Sequence, residues 1–312
     1  MSGRVLLLTD ARADVHASPG HPERPARREP VAAGVRDAAG ARLVEEPPEP
    51  ATDDDITRVH DPGYLALLTE AEARGGGWLD PDTYVVPGSI AAARLAAGAS
   101  LQAARAAASG EAEIAFAVVR PPGHHAGRMR ASGFCLLNNV AIAVAGLRAG
   151  GSVWRVAIVD WDVHHGDGTQ AIFEGDTDLI YTSTHQYPFY PGSGAATDDG
   201  GGVARNVELR AGEGDDAFTS AWREQLLPAI EAFAPEAIVV SAGYDAHADD
   251  PLAGLEVTEA GYDAVARALG QIAARLGIAG VALTLEGGYD LDALRSSTAA
   301  TVRGLLQGRE GA

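Results

Sequence analysis

Two short stretches hold most of the residues whose types and spacing could do chemistry. One is "PPGHHAG", residues 121–127, with His124 beside His125. The other is "VDWDVHHGDG", residues 159–168, in which Asp160, Asp162 and His164 are spaced by two. If strand geometry persists there, all three project from one face, and Trp161 and Val163 turn the other way. A carboxylate and an imidazole two residues apart are a ready pair of metal ligands, and Asp245, after the apolar run 237–242, can supply a third. One histidine and two carboxylates make a three-ligand site with an open position, as a catalytic divalent metal needs. Three desolvated polar side chains need charge compensation, which a cation supplies; the alternative is a structural hydrogen-bond cluster. Zinc suits the set, and its oxygen content also suits Fe(II) or Mn(II). Asp160 either binds the same metal or stands behind it.

The paired histidines suit such a site. One can take a proton from an activated water and return it to a leaving amine. The other can stabilise charge in the transition state. Asp160 and Asp167 are placed to hydrogen-bond the two imidazoles and fix their tautomers. "EGGYD" at 286–290 adds a phenol: Gly287 and Gly288 permit a turn that aims Tyr289 inward, where it can donate to a developing oxyanion. Packing of that tyrosine against a helix is the alternative.

The elements that must position these residues follow from the apolar pattern. Unbroken apolar runs lie at 4–8, 114–119, 155–160, 179–183, 237–242 and 281–286, and they suit parallel strands covered on both faces. Amphipathic or alanine-rich stretches alternate with them at 88–109, 138–149, 215–233, 258–276 and 290–307. The alternation predicts one α/β domain over residues 1–312, a mostly parallel central sheet with helices on both faces. In such a sheet ligands sit beyond the carboxyl ends of the strands, where all the polar motifs fall. The Pro/Glu-rich stretch 45–50 reads as a surface loop.

The chain has 312 residues, 46% of them hydrophobic, which is ample for a large core. The formal charge is −19, and all 24 basic residues are arginine. That balance argues against a nucleic acid partner and is compatible with a cationic substrate drawn in by long-range attraction. A single cysteine, Cys135, excludes an intrachain disulfide and fits a reducing, cytoplasmic setting. No stretch approaches the roughly 18 apolar residues of a membrane span, and no membrane partner is expected. The oligomeric state is not encoded in any feature of the sequence.

The motifs together resemble the histone deacetylase family of the arginase-like superfamily, in its class II and bacterial amidohydrolase branches. The matching pieces are "HPERP" (21–25), "RPPGHHA" (120–126), "GFCLLNN" (133–139), "VDWDVHHGDGT" (159–169), "YPGSG" (190–194), "SAGYDAH" (241–247), "DPLAGL" (250–255) and "EGGY" (286–289). The resemblance implies that Asp162, His164 and Asp245 hold zinc. It implies that His125, paired with Asp167, is general base and then acid, and that His124, backed by Asp160, is its electrostatic partner. Tyr289 would polarise the scissile carbonyl. Gly133, Phe134, Tyr190 and Leu252 would line a narrow channel for the alkyl part of an acetyl-lysine or other acetylated amine. A structural potassium ion is implied near Asp160, Asp162 and His164, with Ser183 and Thr184. Leu252 stands where polyamine-selective relatives carry a gatekeeper glutamate, so that device is missing. A two-manganese ureohydrolase and a non-catalytic acyl-binding module are the competing readings.

Overall fold

The computed structural model describes residues 3–311. In chain order the strands are β1 (Val5–Leu8), β2 (Leu43–Glu46), β3 (Gly77–Trp78), β4 (Tyr84–Val85), β5 (Ile114–Ala117), β6 (Val156–Asp160), β7 (Leu179–Gln186), β8 (Ala204–Leu209), β9 (Ala237–Ala242) and β10 (Val281–Leu285). The helices are α1 (Arg28–Ala39), α2 (Asp53–Thr57), α3 (Pro62–Ala73), α4 (Ser89–Ser109), α5 (Asn139–Ala149), α6 (Asp167–Ile172), α7 (Asp215–Ser220), α8 (Leu227–Phe233), α9 (Glu259–Arg275) and α10 (Leu291–Glu310). Eight strands form one sheet in the order β2-β1-β5-β10-β9-β6-β7-β8, every pair parallel; β3 and β4 make a separate antiparallel hairpin.

The apolar runs become strands because both faces of the sheet are covered. In β1, Leu6 and Leu8 join the core beneath α4 and α5, and Val5 and Leu7 join the core beneath α1, α9 and α10. The same alternation sends Val156 and Ile158 of β6 one way, and Ala157 and Val159 the other. Helix starts are fixed locally: Asn138, Thr258 and Asp290 cap α5, α9 and α10 by accepting main-chain N–H bonds from the first turn.

Two differences from the sequence pattern have physical causes. β2 and β8 are the edge strands, with several exposed or half-buried residues each, so neither carries an unbroken apolar run. The expected helix over 215–233 is interrupted by a π-helical turn, Ala221–Leu226, between α7 and α8. Pro228, in the first turn of α8, has no N–H to continue the ladder, and the turn before it widens.

Because all eight strands run one way, the segments after β5, β6, β7, β9 and β10 emerge at one edge. There they carry the histidine pair, the Asp-x-Asp-x-His stretch, the Tyr190 loop, Asp245 and Tyr289. No helix among the described residues is long and apolar enough to cross a membrane.

Candidate active site and metal centre

After β5 the chain runs through Pro121 and Pro122, which have no N–H to extend the ladder. A side chain at Gly123 would place a Cβ 2.5 Å from the amide nitrogen of Asn139, so the turn admits only glycine. The N–H groups of Gly123 and His124 donate to Glu286 Oε2 at 2.6 and 3.1 Å. The carbonyl of His124 accepts from Thr169 N at 3.0 Å, and that of His125 accepts from Ser132 Oγ at 3.0 Å. Held this way, the adjacent histidines put both rings into one cavity, with centroids 4.1 Å apart.

Each imidazole has its own carboxylate. His124 Nδ1 lies 3.1 Å from Asp160 Oδ2, which also accepts from the Tyr181 hydroxyl at 3.0 Å. His125 Nδ1 lies 2.7 Å from Asp167 Oδ1, while Asp167 Oδ2 accepts from Arg130 Nη2 at 2.7 Å. Carboxylates only accept, so both imidazoles carry a proton on Nδ1 and turn Nε2 toward the cavity. Burial disfavours charge on both rings, but the outcomes differ. Around His124, Asp162 and Asp160 outweigh burial and raise its pKa well above the ordinary value. Burial and the neighbouring His124 push His125 down to about 3 against the pull of Asp167. The two adjacent histidines are thereby shifted in opposite directions.

Asp162, His164 and Asp245 each offer a ligand atom, and these atoms all lie within 4.8 Å of one another. Strand geometry ends at Asp160, and the bend that follows separates Asp160 from Asp162. Asp160 turns to His124, and Asp162 reaches the triad, so Asp160 stands behind the group. Asp162 Oδ1 lies 3.1 Å from His164 Nδ1, and its Oδ2 accepts from Gly287 N at 2.8 Å. Asp245 Oδ1 accepts from Val163 N at 2.9 Å. Its Oδ2 is buried and accepts no hydrogen bond, although His164 Nδ1 is 3.2 Å away. Burial works against charge on His164, yet the two carboxylates push its pKa up to about 10. An unpaired buried carboxylate oxygen beside a second carboxylate and an imidazole is a donor set that fits a divalent cation. The backbone makes room for it: a Cβ at Gly243 would fall 2.1 Å from Asp162 Oδ2, and one at Gly287 would fall 2.0 Å from Asp245 Oδ2.

Tyr289 completes the cavity. Gly288, at φ +115°, makes the turn that aims it inward. Its N–H donates to Asp250 Oδ2 at 2.7 Å, and the Arg27 guanidinium lies 4.7 Å over its ring. Arg27 also donates to the carbonyls of Gly288 and Glu286, both at 2.5 Å. Burial raises the Tyr289 pKa well above 10 despite Arg27, so the phenol keeps its proton.

The cavity has a volume of about 250 Å³, and His124, His125, Asp162, His164 and Tyr289 line it. Gly133, Phe134, Tyr190 and Leu252 line it. Phe134 meets Tyr289 edge-on at 5.9 Å, and Tyr190 meets His125 edge-on at 5.1 Å. Asp82, Pro122 and Phe189 also line it, without having been singled out in the sequence. Phe189 stacks on His164 at 5.5 Å, and its adjacency to Tyr190 is the one signal that could have found it. Asp82 lies in the connection between β3 and β4.

Ser183, Thr184 and His247 have partners of their own. Ser183 is the register partner of Asp160, but its hydroxyl is 2.9 Å from His185 Nδ1. Thr184 accepts from Trp222 Nε1 at 3.1 Å. His247 stays outside the triad, with Nε2 3.5 Å from Glu259.

Residues 21–305 match the family described as the histone deacetylase domain. A probable deacetylase of Archaeoglobus fulgidus is 40% identical over 282 residues, covering 88% of this chain and 78% of its own. The histone deacetylase-like amidohydrolase of Pseudomonas aeruginosa is 39% identical over 280 residues, covering 88% and 73%. The crystal structure of the HDA15 HD domain superposes with a TM-score of 0.90 at 36% identity, covering 98% of this chain and 89% of that one. By these matches, over most of its length, the chain belongs to the histone deacetylase family.

Proposed function

We propose that this protein is a zinc-dependent deacetylase that hydrolyses the N-acetyl amide of a linear amine such as acetyl-lysine, releasing acetate and the free amine. The observation that carries the reading is the convergence of the Asp162–His164–Asp245 triad, two His–Asp pairs and a protonated phenol on one narrow cavity. Bound at the triad, a divalent ion supplies Lewis acidity toward the amide carbonyl and makes a nearby water easier to deprotonate. Fe(II) would suit the same oxygen-rich set.

The chain's own residues account for the remaining steps. Phe134 and Tyr190 sandwich the alkyl stem, with Gly133 and Leu252 bounding the channel. His125 Nε2, the nitrogen not committed to Asp167, takes a proton from the attacking water. The Tyr289 hydroxyl donates to the former carbonyl oxygen as it gains negative charge. His124, hydrogen-bonded to Asp160, stands beside His125 as the electrostatic partner. His125 then returns its proton to the departing nitrogen as the C–N bond breaks. A potassium ion near Asp160, Asp162 and His164 belongs to the same reading. Ser183 and Thr184, on the neighbouring strand β7, would contribute to it; Ser183 is the register partner of Asp160. A single buried, unpaired cysteine fits work in the reducing cytoplasm.

A second substrate reading, an acetylated diamine or polyamine, is favoured by the Asp82 carboxylate in the cavity wall and the net charge of −19. The test is hydrolysis of a fluorogenic acetyl-lysine peptide beside an acetylated diamine, using zinc-loaded protein. His125→Ala should lower kcat by about 100-fold or more on either substrate. Undiminished turnover in that variant would remove the proposed mechanism.

A further inference from the structure

The proposed chemistry gives no role to the buried acid Glu286. Glu286 follows β10 and is fully buried. Its Oε2 accepts from Gly123 N at 2.6 Å and His124 N at 3.1 Å, and its Oε1 accepts from Ser241 Oγ at 3.3 Å. Its own N–H donates to the Ala242 carbonyl at 3.2 Å, and its carbonyl accepts from Arg27 at 2.5 Å. One residue is thus bonded to the exits of β5 and β9 as well as terminating β10. One residue further on, Gly287 N holds Asp162 Oδ2 at 2.8 Å; three further on stands Tyr289.

An acid buried without a directly bonded cation is expensive, and an apolar side chain of similar length would fill the space without that cost. The loop explains its presence. Two successive N–H groups, at Gly123 and His124, point into the interior and need an acceptor. Neither proline before them, nor any strand partner, supplies one. The only acceptor the structure gives them comes from the segment that carries Tyr289.

We propose that Glu286 is a positioning residue, a clasp that fixes the histidine loop to the tyrosine loop so that the imidazoles and the phenol keep one register across the site. The clasp depends on an acceptor oxygen at the right reach and not on its charge. The activity readout rests on the deacetylase reading; the clasp itself is also read without turnover.

Two substitutions separate reach from charge. Glu286→Gln keeps the length: its amide oxygen can accept both N–H bonds while its nitrogen donates to Ser241. Glu286→Asp keeps the charge but withdraws the oxygens by one bond of about 1.5 Å, so the short bond to Gly123 passes the roughly 3.6 Å at which a hydrogen bond is lost. Glu286→Gln should hold kcat within about threefold of wild type, whereas Glu286→Asp should lose about 10- to 100-fold in kcat with KM nearly unchanged. Hydrogen exchange at the Gly123 and His124 amides should stay slow in Glu286→Gln and quicken in Glu286→Asp. That measurement judges the clasp even if no acetylated substrate is turned over, a result that would sink the deacetylase reading alone. The reverse order of the two variants, equal loss in both, or wild-type kcat and exchange in both overturns the proposal. Should Glu286→Asp fail to fold, Glu286→Gln decides: wild-type kcat and protection support the clasp, and impairment of either refutes it.

Discussion

Replacing Asp167 by asparagine tests the division of labour between the two histidines. Asp167 lies 2.7 Å from His125 Nδ1 and accepts from Arg130 at 2.7 Å, with its side chain only 16% exposed. When His125 gains a proton on Nε2, its Nδ1–H bond to Asp167 becomes a bond between ions. Hydrogen bonds to charged groups contribute about 1.5–3 kcal/mol, against about 1 kcal/mol for neutral pairs. Asparagine leaves a neutral acceptor, so the transition state loses about 1–2 kcal/mol relative to the resting state, or about 5- to 30-fold in kcat. If the amide flips, its N–H faces Nδ1, favours the wrong tautomer and deepens the loss. Arg130 is the internal control. Its side chain is 65% exposed, and an exposed pair contributes about 0–1 kcal/mol, so Arg130→Ala should cost less than about fivefold. The assay is steady-state hydrolysis of a fluorogenic acetyl-lysine peptide by variants of matched metal content. The reasoning predicts that kcat falls in Asp167→Asn while KM stays within about threefold. It is refuted if Asp167→Asn keeps kcat within about twofold of wild type, or if Arg130→Ala costs as much.

Three further outcomes follow from the geometry. Tyr289→Phe removes the donor to the developing oxyanion and should lower kcat by about 100- to 1,000-fold with unchanged metal content, measured by the same assay and by elemental analysis. Gly133→Ala would put a Cβ 2.3 Å from His125 Cδ2 at a φ of +55°, so activity should fall sharply in a protein whose far-ultraviolet circular dichroism matches wild type. Glu23 is buried between Arg120, at 2.5 and 2.6 Å, and Arg27, at 3.2 Å. Burial opposes its charge, but the two arginines win and hold its pKa below the ordinary 4.5. A carboxyl with a depressed folded-state pKa stabilises fully above the unfolded value and loses that contribution as pH falls through the folded value. Glu23→Gln should therefore cost about 3–5 kcal/mol in urea unfolding at neutral pH, and much less at a pH below the folded value.

The sequence discloses the centre of the fold better than its margins. β5, β6, β9 and β10 are buried on both faces, and that burial is what an unbroken apolar run records. β2, reading "LVEE", and β8, reading "ARNVEL", pair on one side only and mix exposed residues with buried ones, so no period marks them. In the site, spacing alone gathers Asp162 and His164. It does not tell that the strand stops at Asp160, which sends two carboxylates two residues apart to different partners. Residues whose part depends on distant loops stay silent. Glu286 meets Gly123 across 163 positions, and Arg27 meets Gly288 across 261, through contacts that no local pattern encodes. Asp82 reaches the cavity from the hairpin for the same reason.

The most direct test is anomalous X-ray diffraction from crystals of the zinc-loaded protein. A single peak bonded to Asp162, His164 and Asp245 together, lost in Asp245→Ala, is the predicted result. A pair of bridged peaks, or a peak that does not touch all three residues, would contradict the account.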